Sequence, residues 1–176
     1  MQTVLNSLPA QEGVRLIEPG EGKPFDLGPV HFQWKVRGED SAHAYTIFEL
    51  HLAPGGGVDL HSHASPESFY VLEGEMTFFR IVDGTQEAFV CGPGSTIVIP
   101  PNALHALFNK SAGACRLLDV STVSHQDFFD EVQAADRNES FASLEPKVAG
   151  VRLSEIARRN EMYLAPYDVN TKKEID

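Results

Sequence analysis

The sequence contains only two cysteines in 176 residues, too few for a disulfide framework. Cys91 and Cys115 each lie in or beside an apolar stretch, where a small, buried and reduced thiol is the ordinary occupant. The sequence also lacks any run close to the roughly 18 apolar residues that a membrane-spanning helix needs. Residues 1–10 lack the basic start and the continuous apolar segment of a secretory signal peptide. We therefore expect a cytoplasmic protein with no segment in a membrane.

Basic residues are scarce as well, because 14 Lys and Arg stand against 25 Asp and Glu, for a formal net charge of -11. Nucleic acids and anionic membrane surfaces are bound through clustered basic side chains that displace counterions. No basic stretch or helix-turn-helix pattern is present, so we expect small molecules as ligands and neither of those partners. The glycines at 55–57 lack the spacing of a phosphate-binding loop, and no serine occupies a nucleophile elbow.

The composition, with 22% charged and 42% hydrophobic residues, is typical of a folded globular protein. The length suits one well-buried core with an appendage. Apolar and β-branched residues, mostly in period-two alternation, predict β-strands through the middle of the chain. The predicted strands are His31–Val36, Tyr45–Leu52, Ser68–Leu72, Met76–Val82, Glu87–Cys91, Thr96–Ile99, Ala106–Asn109 and Arg116–Val123.

Turn and helix signals complete the pattern. Asp83-Gly84 predicts a two-residue hairpin, because both residue types accept a positive φ. After Ser124, a predicted N-cap, the apolar period changes to about 3.6, and this predicts a helix to about Ala135. A second helix is expected between Pro146 and Asn160. For the aromatic pair Phe128 and Phe129 we favour core packing, and the second helix is expected to carry an apolar stripe formed by Val148, Val151 and Ile156.

The stretch Gly55–Gly74 contains the strongest candidates for a functional site. His61 and His63 are two residues apart, so in a strand both imidazoles project from the same face. Glu67 follows at a further even offset, and its carboxylate can return to that face although Pro66 is expected to distort the strand. Two imidazoles and a carboxylate in one short segment are donors for one metal ion. The alternative for each histidine is a structural role.

A second stretch, Gly94–Asn109, contains an apolar strand, a Pro-Pro-Asn corner and a further strand that begins near His105. The two stretches together resemble the two signature motifs of the cupin superfamily. The first motif is matched at Gly55, His61, His63, Glu67 and Gly74, and the second at Gly94, Pro100, His105 and Asn109. One position departs from the pattern, because Asn102 stands where glycine is expected. Asparagine tolerates a left-handed backbone best after glycine, so the turn can form.

This resemblance implies an all-β protein, a small cupin β-barrel (a double-stranded β-helix, or jelly roll) with short C-terminal helices. We expect an N-terminal arm or edge strand over residues 1–30, the barrel over 31–125 and a C-terminal helical extension over 126–176. The resemblance also implies a homodimer and one metal ion bound by four side chains: His61, His63, Glu67 and His105. Two alternatives stay open, a degenerate site that kept its ligands without function and a metal with a purely structural role.

Residues near the predicted ligands are candidates for a substrate pocket. Phe69 and Val71 share the strand parity of Glu67, and Leu107 shares that of His105, so these side chains are expected to form an apolar wall beside the metal. Core packing away from any pocket is the alternative. Glu49 and His51 lie on the polar face of their strand, where we favour exposure to solvent over a place beside the pocket.

Four protein donors leave different room for chemistry on different metals. Zinc is nearly saturated by four ligands in a tetrahedron. An octahedral Fe(II), Mn(II), Ni(II) or Co(II) keeps two positions open, which is room for a bidentate substrate, or for one substrate oxygen and dioxygen. We therefore expect one divalent transition metal ion, with Fe, Mn, Ni or Co favoured over Zn or Cu.

Within the cupin superfamily, residues 30–125 resemble single-domain members related to quercetin dioxygenase. This resemblance implies an oxidoreductase, a metal-dependent dioxygenase acting on a small oxygen-rich substrate such as a flavonol or a dione. Glu67 is the candidate catalytic residue, because it can act as a base if it leaves the metal. Two alternatives are a cupin isomerase or lyase acting on a sugar-like enediol, and a module that binds a small molecule without turnover.

Overall fold

The computed structural model describes residues 13–28 and 30–174, and within them the chain forms a strand-rich body followed by two helices. Residues 1–12 of the predicted N-terminal arm lie outside the described residues. The strands are β1 (Lys23–Leu27), β2 (Val30–Val36), β3 (Thr46–Leu52), β4 (Gly57–His63), β5 (Glu67–Glu73), β6 (Met76–Val82), β7 (Thr85–Cys91), β8 (Thr96–Ile99), β9 (His105–Phe108), β10 (Cys115–Ser121), β11 (Met162–Leu164), β12 (Tyr167–Asp168) and β13 (Lys173–Glu174). The helices are α1 (Val123–Asn138) and α2 (Pro146–Arg159).

Two antiparallel sheets make up the body. The larger sheet has the order β1-β2-β3-β10-β5-β8, and the smaller one has the order β11-β4-β9-β6-β7. Their inner faces meet in one hydrophobic cluster, in which the rings of Phe69 on β5 and Phe78 on β6 lie 5.3 Å apart between centroids. This is the predicted jelly roll, or double-stranded β-helix.

The period-two pattern explains why these strands face the core as they do. On β3, Phe48, Leu50 and Leu52 are buried, and the residues between them are less so. The hairpin between β6 and β7 turns at Asp83 and Gly84, both with positive φ, as predicted. Cys91 and Cys115 are free thiols, and both are buried, also as predicted.

Helix α1 begins and ends outside its predicted bounds. Its N-cap is Thr122, so Ser124, the predicted cap, is the second helical residue. The helix also continues through Asp136 to Asn138, where the prediction ended it at about Ala135. Residues 136–138 are exposed, so their polar side chains keep full contact with water while the backbone stays helical. The polar composition of residues 136–138 therefore did not predict where the helix ends.

The aromatic pair of α1 packs against the larger sheet, as predicted. The ring centroid of Phe129 lies 5.0 Å from those of Phe25 on β1 and Phe32 on β2. Phe128 is 5% exposed and belongs to the same cluster. These contacts fix the first two turns of α1 over the sheet edge that β1 and β2 form.

The rest of the C-terminal extension differs in part from the prediction. Helix α2 forms as expected, but of its predicted apolar stripe only Ile156 is buried, while Val148 and Val151 are each 53% exposed. Strand β11 then returns to the smaller sheet and pairs with β4, with Met162 opposite His63. The extension therefore contributes a strand as well as helices.

In the part of the chain that the structure describes, no helix has the length and apolarity needed to cross a membrane.

Candidate metal centre

The four side chains predicted as ligands come together inside the barrel. His61, His63, Glu67 and His105 each place one candidate ligand atom so that all four atoms lie within 4.8 Å of one another. All four residues are buried, with exposed fractions between 1% for His105 and 9% for His61. A single ion can contact every member of such a group.

Strand pairing aligns the two motifs. His61 on β4 lies directly opposite His105 on β9, and their ring centroids are 4.1 Å apart. Gly57, at the start of β4, permits this pairing because a Cβ there would overlap the backbone carbonyl of Leu107 and the ring of Phe108. The absence of a side chain at Gly57 lets β9 approach β4 at the point where the two ligand strands begin to pair.

Glu67 reaches the cluster by a different route from the one its spacing suggested. The strand does not continue past His63, because β4 lies in the smaller sheet and β5, which begins at Glu67, lies in the larger one. The chain crosses between the sheets over residues 64–66, which include Pro66. The carboxylate therefore meets the imidazoles across the core and not along one strand face.

Two asparagines of the second motif have structural roles. Asn102 has a φ of 64°, so it adopts the left-handed conformation that its place in the motif requires. Its backbone N–H donates to the carbonyl of His63 over 2.7 Å, and this ties the corner to the ligand strand. Asn109 is fully buried, and its side-chain amide donates to the carbonyls of Leu52 and Gly113.

Hydrogen bonds fix the tautomer of all three histidines. The Nδ1 atoms of His61, His63 and His105 lie 2.8, 2.6 and 2.9 Å from the backbone carbonyl oxygens of Asp59, Ser65 and Ala103. A carbonyl oxygen only accepts, so each Nδ1 carries the proton. Each Nε2 then keeps its lone pair when the ring is neutral, which is the form that binds a metal ion.

The charges of the site follow from burial and from the central carboxylate. Burial, reinforced by the neighbouring His105, lowers the pKa of His61 to about 3, so this ring is neutral at physiological pH. Burial opposes a charge on His63 too, but the Glu67 carboxylate outweighs it and raises the pKa of His63. Burial works against the charge of Glu67, yet His125, His105 and His63 hold the pKa of that carboxyl well below its usual range.

Two further residues complete the cluster, and sequence reasoning missed both. His125, on the first turn of α1, is 2% exposed and places Nε2 at 3.2 Å from Oε1 of Glu67. Asp119, on β10, is fully buried, and its pKa is raised well above the usual value by burial and by the adjacent Glu67 carboxylate. Asp119 shares strand parity with the buried Leu117, so an acidic residue on an inward face was a signal that could have identified it. No comparable pattern marks His125.

The predicted wall residues are buried in the main core. Phe69 is 3% exposed, and Val71 and Leu107 are fully buried, all within the main hydrophobic cluster. This agrees with core packing, and their role in a substrate pocket stays a prediction. Glu49 and His51 lie on the face of β3 opposite its buried residues, where Glu49 is 3.2 Å from the Arg116 guanidinium.

The donor set fits a divalent transition metal. Three neutral imidazoles and one carboxylate are ligands that Fe, Mn, Co, Ni and Zn all accept. The Nε2 atom of His105 is buried without a hydrogen-bond partner among the described residues. A buried polar atom without a partner is costly, and coordination to an ion removes that cost.

Comparison with known proteins agrees with this fold. Residues 48–121 match the family model described as the cupin domain. Among curated proteins, germin-like protein subfamily T member 3 from Arabidopsis thaliana is 36% identical over 77 residues. That match covers 43% of this chain and 34% of the plant protein, so the chain spans about a third of the length of this curated relative.

Solved structures with the same fold include two bacterial proteins. The polyketide cyclase RemF from Streptomyces resistomycificus has a TM-score of 0.56 and 23% identity, over 63% of this chain and 80% of its own. A predicted oxalate decarboxylase from Thermotoga maritima has a TM-score of 0.54 and 20% identity, over 61% of this chain and 98% of its own. At these identities the likeness concerns the fold alone.

Proposed function

We propose that this protein is a metal-dependent enzyme that holds one divalent transition metal ion at His61, His63, Glu67 and His105. Its substrate is a small, oxygen-rich organic molecule, and the reaction we favour is oxygenation of the quercetin-dioxygenase type. The observation that carries the proposal is the anchoring of all three Nδ1 atoms on backbone carbonyls, because it leaves the three Nε2 lone pairs free in a group whose four ligand atoms lie within 4.8 Å of one another.

The ligand count favours a metal with six coordination positions. Four protein donors leave two positions of an octahedral ion free, whereas tetrahedral zinc is nearly saturated. Fe, Mn, Ni or Co is therefore preferred over Zn or Cu. When bound, such an ion would act as a Lewis acid toward a substrate oxygen and, if redox active, would also support reaction with dioxygen.

The charge of the site selects the substrate class. Three neutral histidines and one carboxylate leave a divalent ion with one net positive charge, in a place where all four ligands are buried. An anionic oxygen, such as that of an enolate, enediolate or phenolate, is attracted strongly in a medium of low dielectric. The proposed wall of Phe69, Val71 and Leu107 would exclude water and strengthen this attraction.

Glu67 is the proposed base. Its Oε2 lies 3.2 Å from Nε2 of His105 and 3.3 Å from Nε2 of His63, so the carboxylate is central to the cluster. A base must accept the substrate proton at a defined oxygen, and we assign Oε2, which would be free to accept once the carboxylate leaves the metal. The low pKa of this carboxyl in the histidine cluster keeps it ionised at physiological pH.

Elemental analysis of the purified protein tests the metal site first. Wild type should contain one equivalent of a transition metal, and His61→Ala should lose it. His31→Ala is the matched control, because His31 is a strand histidine with a 46% exposed side chain that pairs with Asp26. Retention of the full metal content by His61→Ala would refute the site.

Oxygen uptake distinguishes the reaction classes. With flavonols, diones and enediols as a panel, the oxygenase predicts oxygen consumption that depends on substrate and on metal. Turnover of an enediol at the same rate with and without oxygen would favour the alternative, an isomerase or lyase. Binding of a panel member without turnover would favour a non-catalytic binding protein.

Assembly and location stay predictions. We propose a homodimer, which light scattering coupled to size-exclusion chromatography would test at several concentrations. A cytoplasmic location is expected from the sequence, and cell fractionation would test it. Neither a nucleic acid nor a membrane is expected as a partner.

A further inference from the structure

His125 is a fourth histidine at the candidate metal centre, and neither cupin-like motif contains it. Its ring is 2% exposed, and its centroid lies 4.4 Å from that of His63. It belongs to α1, outside the barrel strands that supply the other four side chains. It does not belong to the group of four whose ligand atoms all lie within 4.8 Å of one another. A role beside the ligands therefore fits its position better than a role as one of them.

The two oxygens of Glu67 face different partners. Oε2 lies 3.3 Å from Nε2 of His63 and 3.2 Å from Nε2 of His105. Oε1 lies 3.2 Å from Nε2 of His125. One oxygen is therefore on the side of the ligand nitrogens and the other on the side of the helix.

Two sets of contacts hold His125 in place, one at its ring and one at the next residue of the helix. Its Nδ1 lies 3.3 Å from the hydroxyl of Ser65, which can donate to it and leave the proton on Nε2. The next residue, Gln126, accepts from the backbone N–H of Gly38 and donates to Glu39, so the first turn of α1 is fixed to the body. Among residues 13–28 and 30–174, Nε2 of His125 makes no hydrogen bond with suitable geometry. The nearby acceptor is Oε1 of Glu67, at 3.2 Å.

We propose that His125 is a positioning residue that retains Oε1 of Glu67, so that the carboxylate offers the metal ion only Oε2. A carboxylate that binds through one oxygen occupies one coordination position, and one that binds through both occupies two. His125 thereby keeps a position free for the substrate. This inference rests on the metal binding proposed above.

Three variants separate this role from a structural one. His125→Leu removes the donor to Oε1. His125→Gln keeps a donor, because the glutamine amide nitrogen can stand where Nε2 stood. Gln126→Leu is the matched control, since it removes the contacts of the same helical turn with Gly38 and Glu39 but leaves the side chain of His125 unchanged.

Each protein is loaded with Mn(II), and the number of exchangeable waters on the ion is measured by water-proton relaxation. Wild type should show about two, the positions left by four protein ligands on an octahedral ion. His125→Leu should lose one of these waters, whereas His125→Gln and Gln126→Leu should keep both. Circular dichroism confirms the fold of each variant.

Several results would overturn the role of His125. An unchanged water count in His125→Leu would do so, as would an equal loss in Gln126→Leu, which would point to helix anchoring alone. Loss of Mn(II) stoichiometry in His125→Leu would make His125 a ligand. If His125→Leu does not fold, His125→Gln decides. Loss of one exchangeable water in His125→Gln overturns the proposal, and retention of both waters supports it. Failure of wild type to bind Mn(II) or any other transition metal would refute the metal site itself.

Discussion

Replacing Gly57 with alanine tests whether the close approach of β4 and β9 holds the metal centre together. A Cβ at this position would come closer than 3.0 Å to the carbonyl oxygen of Leu107, a separation that real Cβ atoms essentially never show. It would also overlap the ring of Phe108, which can rotate, but the carbonyl belongs to the backbone of β9 and cannot move alone. The two strands must therefore separate locally to admit one methyl group.

The expected cost is that of an overpacked core. Inserting a methyl group into a tightly packed position costs about 1 to 3 kcal/mol. For a chain of this size each kcal/mol lowers the melting temperature by roughly 2 to 4 °C, so we expect a decrease of about 2 to 12 °C. The same strand pair places His61 opposite His105, and we therefore expect Co(II) to bind about 10-fold more weakly, as it does when support around a ligand is lost.

Thermal unfolding with a chelator present measures the stability change, and Co(II) titration measures the affinity. Gly150→Ala is the matched control, because Gly150 lies within α2 and a Cβ there meets nothing within 4 Å. That change should be neutral or should stabilise the protein by about 0.5 to 1 kcal/mol. A Gly57→Ala variant with the melting temperature and Co(II) affinity of wild type would refute the role assigned to the strand contact.

Three further predictions follow from the pKa shifts. Because Glu67 outweighs burial and raises the pKa of His63 above 6.5, protons compete with the metal, so affinity should fall as pH drops through that raised pKa. Isothermal titration across a pH series measures this, and a pH-independent affinity would contradict it. The raised pKa of Asp119 means that the metal-free folded protein loses stability as pH rises above 3.8. Asp119→Asn should remove that loss and exceed wild type in urea unfolding at neutral pH, and equal stabilities at every pH would count against it. Burial raises the pKa of Cys115 to about 11, so this thiol should resist alkylation in the native protein and react after denaturation, and rapid native labelling would disprove its burial.

Local patterns in the sequence predict the strands, and the motif resemblance predicts the four side chains that come together in the barrel. The alternation on β3 predicts its buried face, because successive strand residues point to opposite sides whatever the tertiary context. The turn at Asp83 and Gly84 depends on the conformations of two residues alone. His61 and His63 lie on one face for the same reason, and the motif around His105 predicted a partner for them.

The parts that sequence did not predict depend on contacts between distant segments. The crossing between β4 and β5 sends Glu67 into the opposite sheet, and a spacing rule for one strand cannot represent that. Helix α1 extends to Asn138 because its last turn lies in solvent, where polar residues are neutral to helix continuation. His125 meets Glu67 because the aromatic contacts of Phe129 fix the angle of α1 over the sheet. Neither the angle nor the contact has a local signature.

The distribution of unpartnered polar atoms favours a bound ion over a purely structural histidine cluster. Within residues 13–28 and 30–174, eight buried side-chain atoms lack a hydrogen-bond partner, and half of them belong to His105, Asp119 and His125 around Glu67. Each such atom costs about 1 to 3 kcal/mol, and buried charged groups are often replaced by apolar side chains without loss of stability. A cluster kept only for packing would therefore be better built from apolar residues. A cation would give the Nε2 lone pair of His105 a partner, while the Nε2–H of His125 faces Oε1 of Glu67.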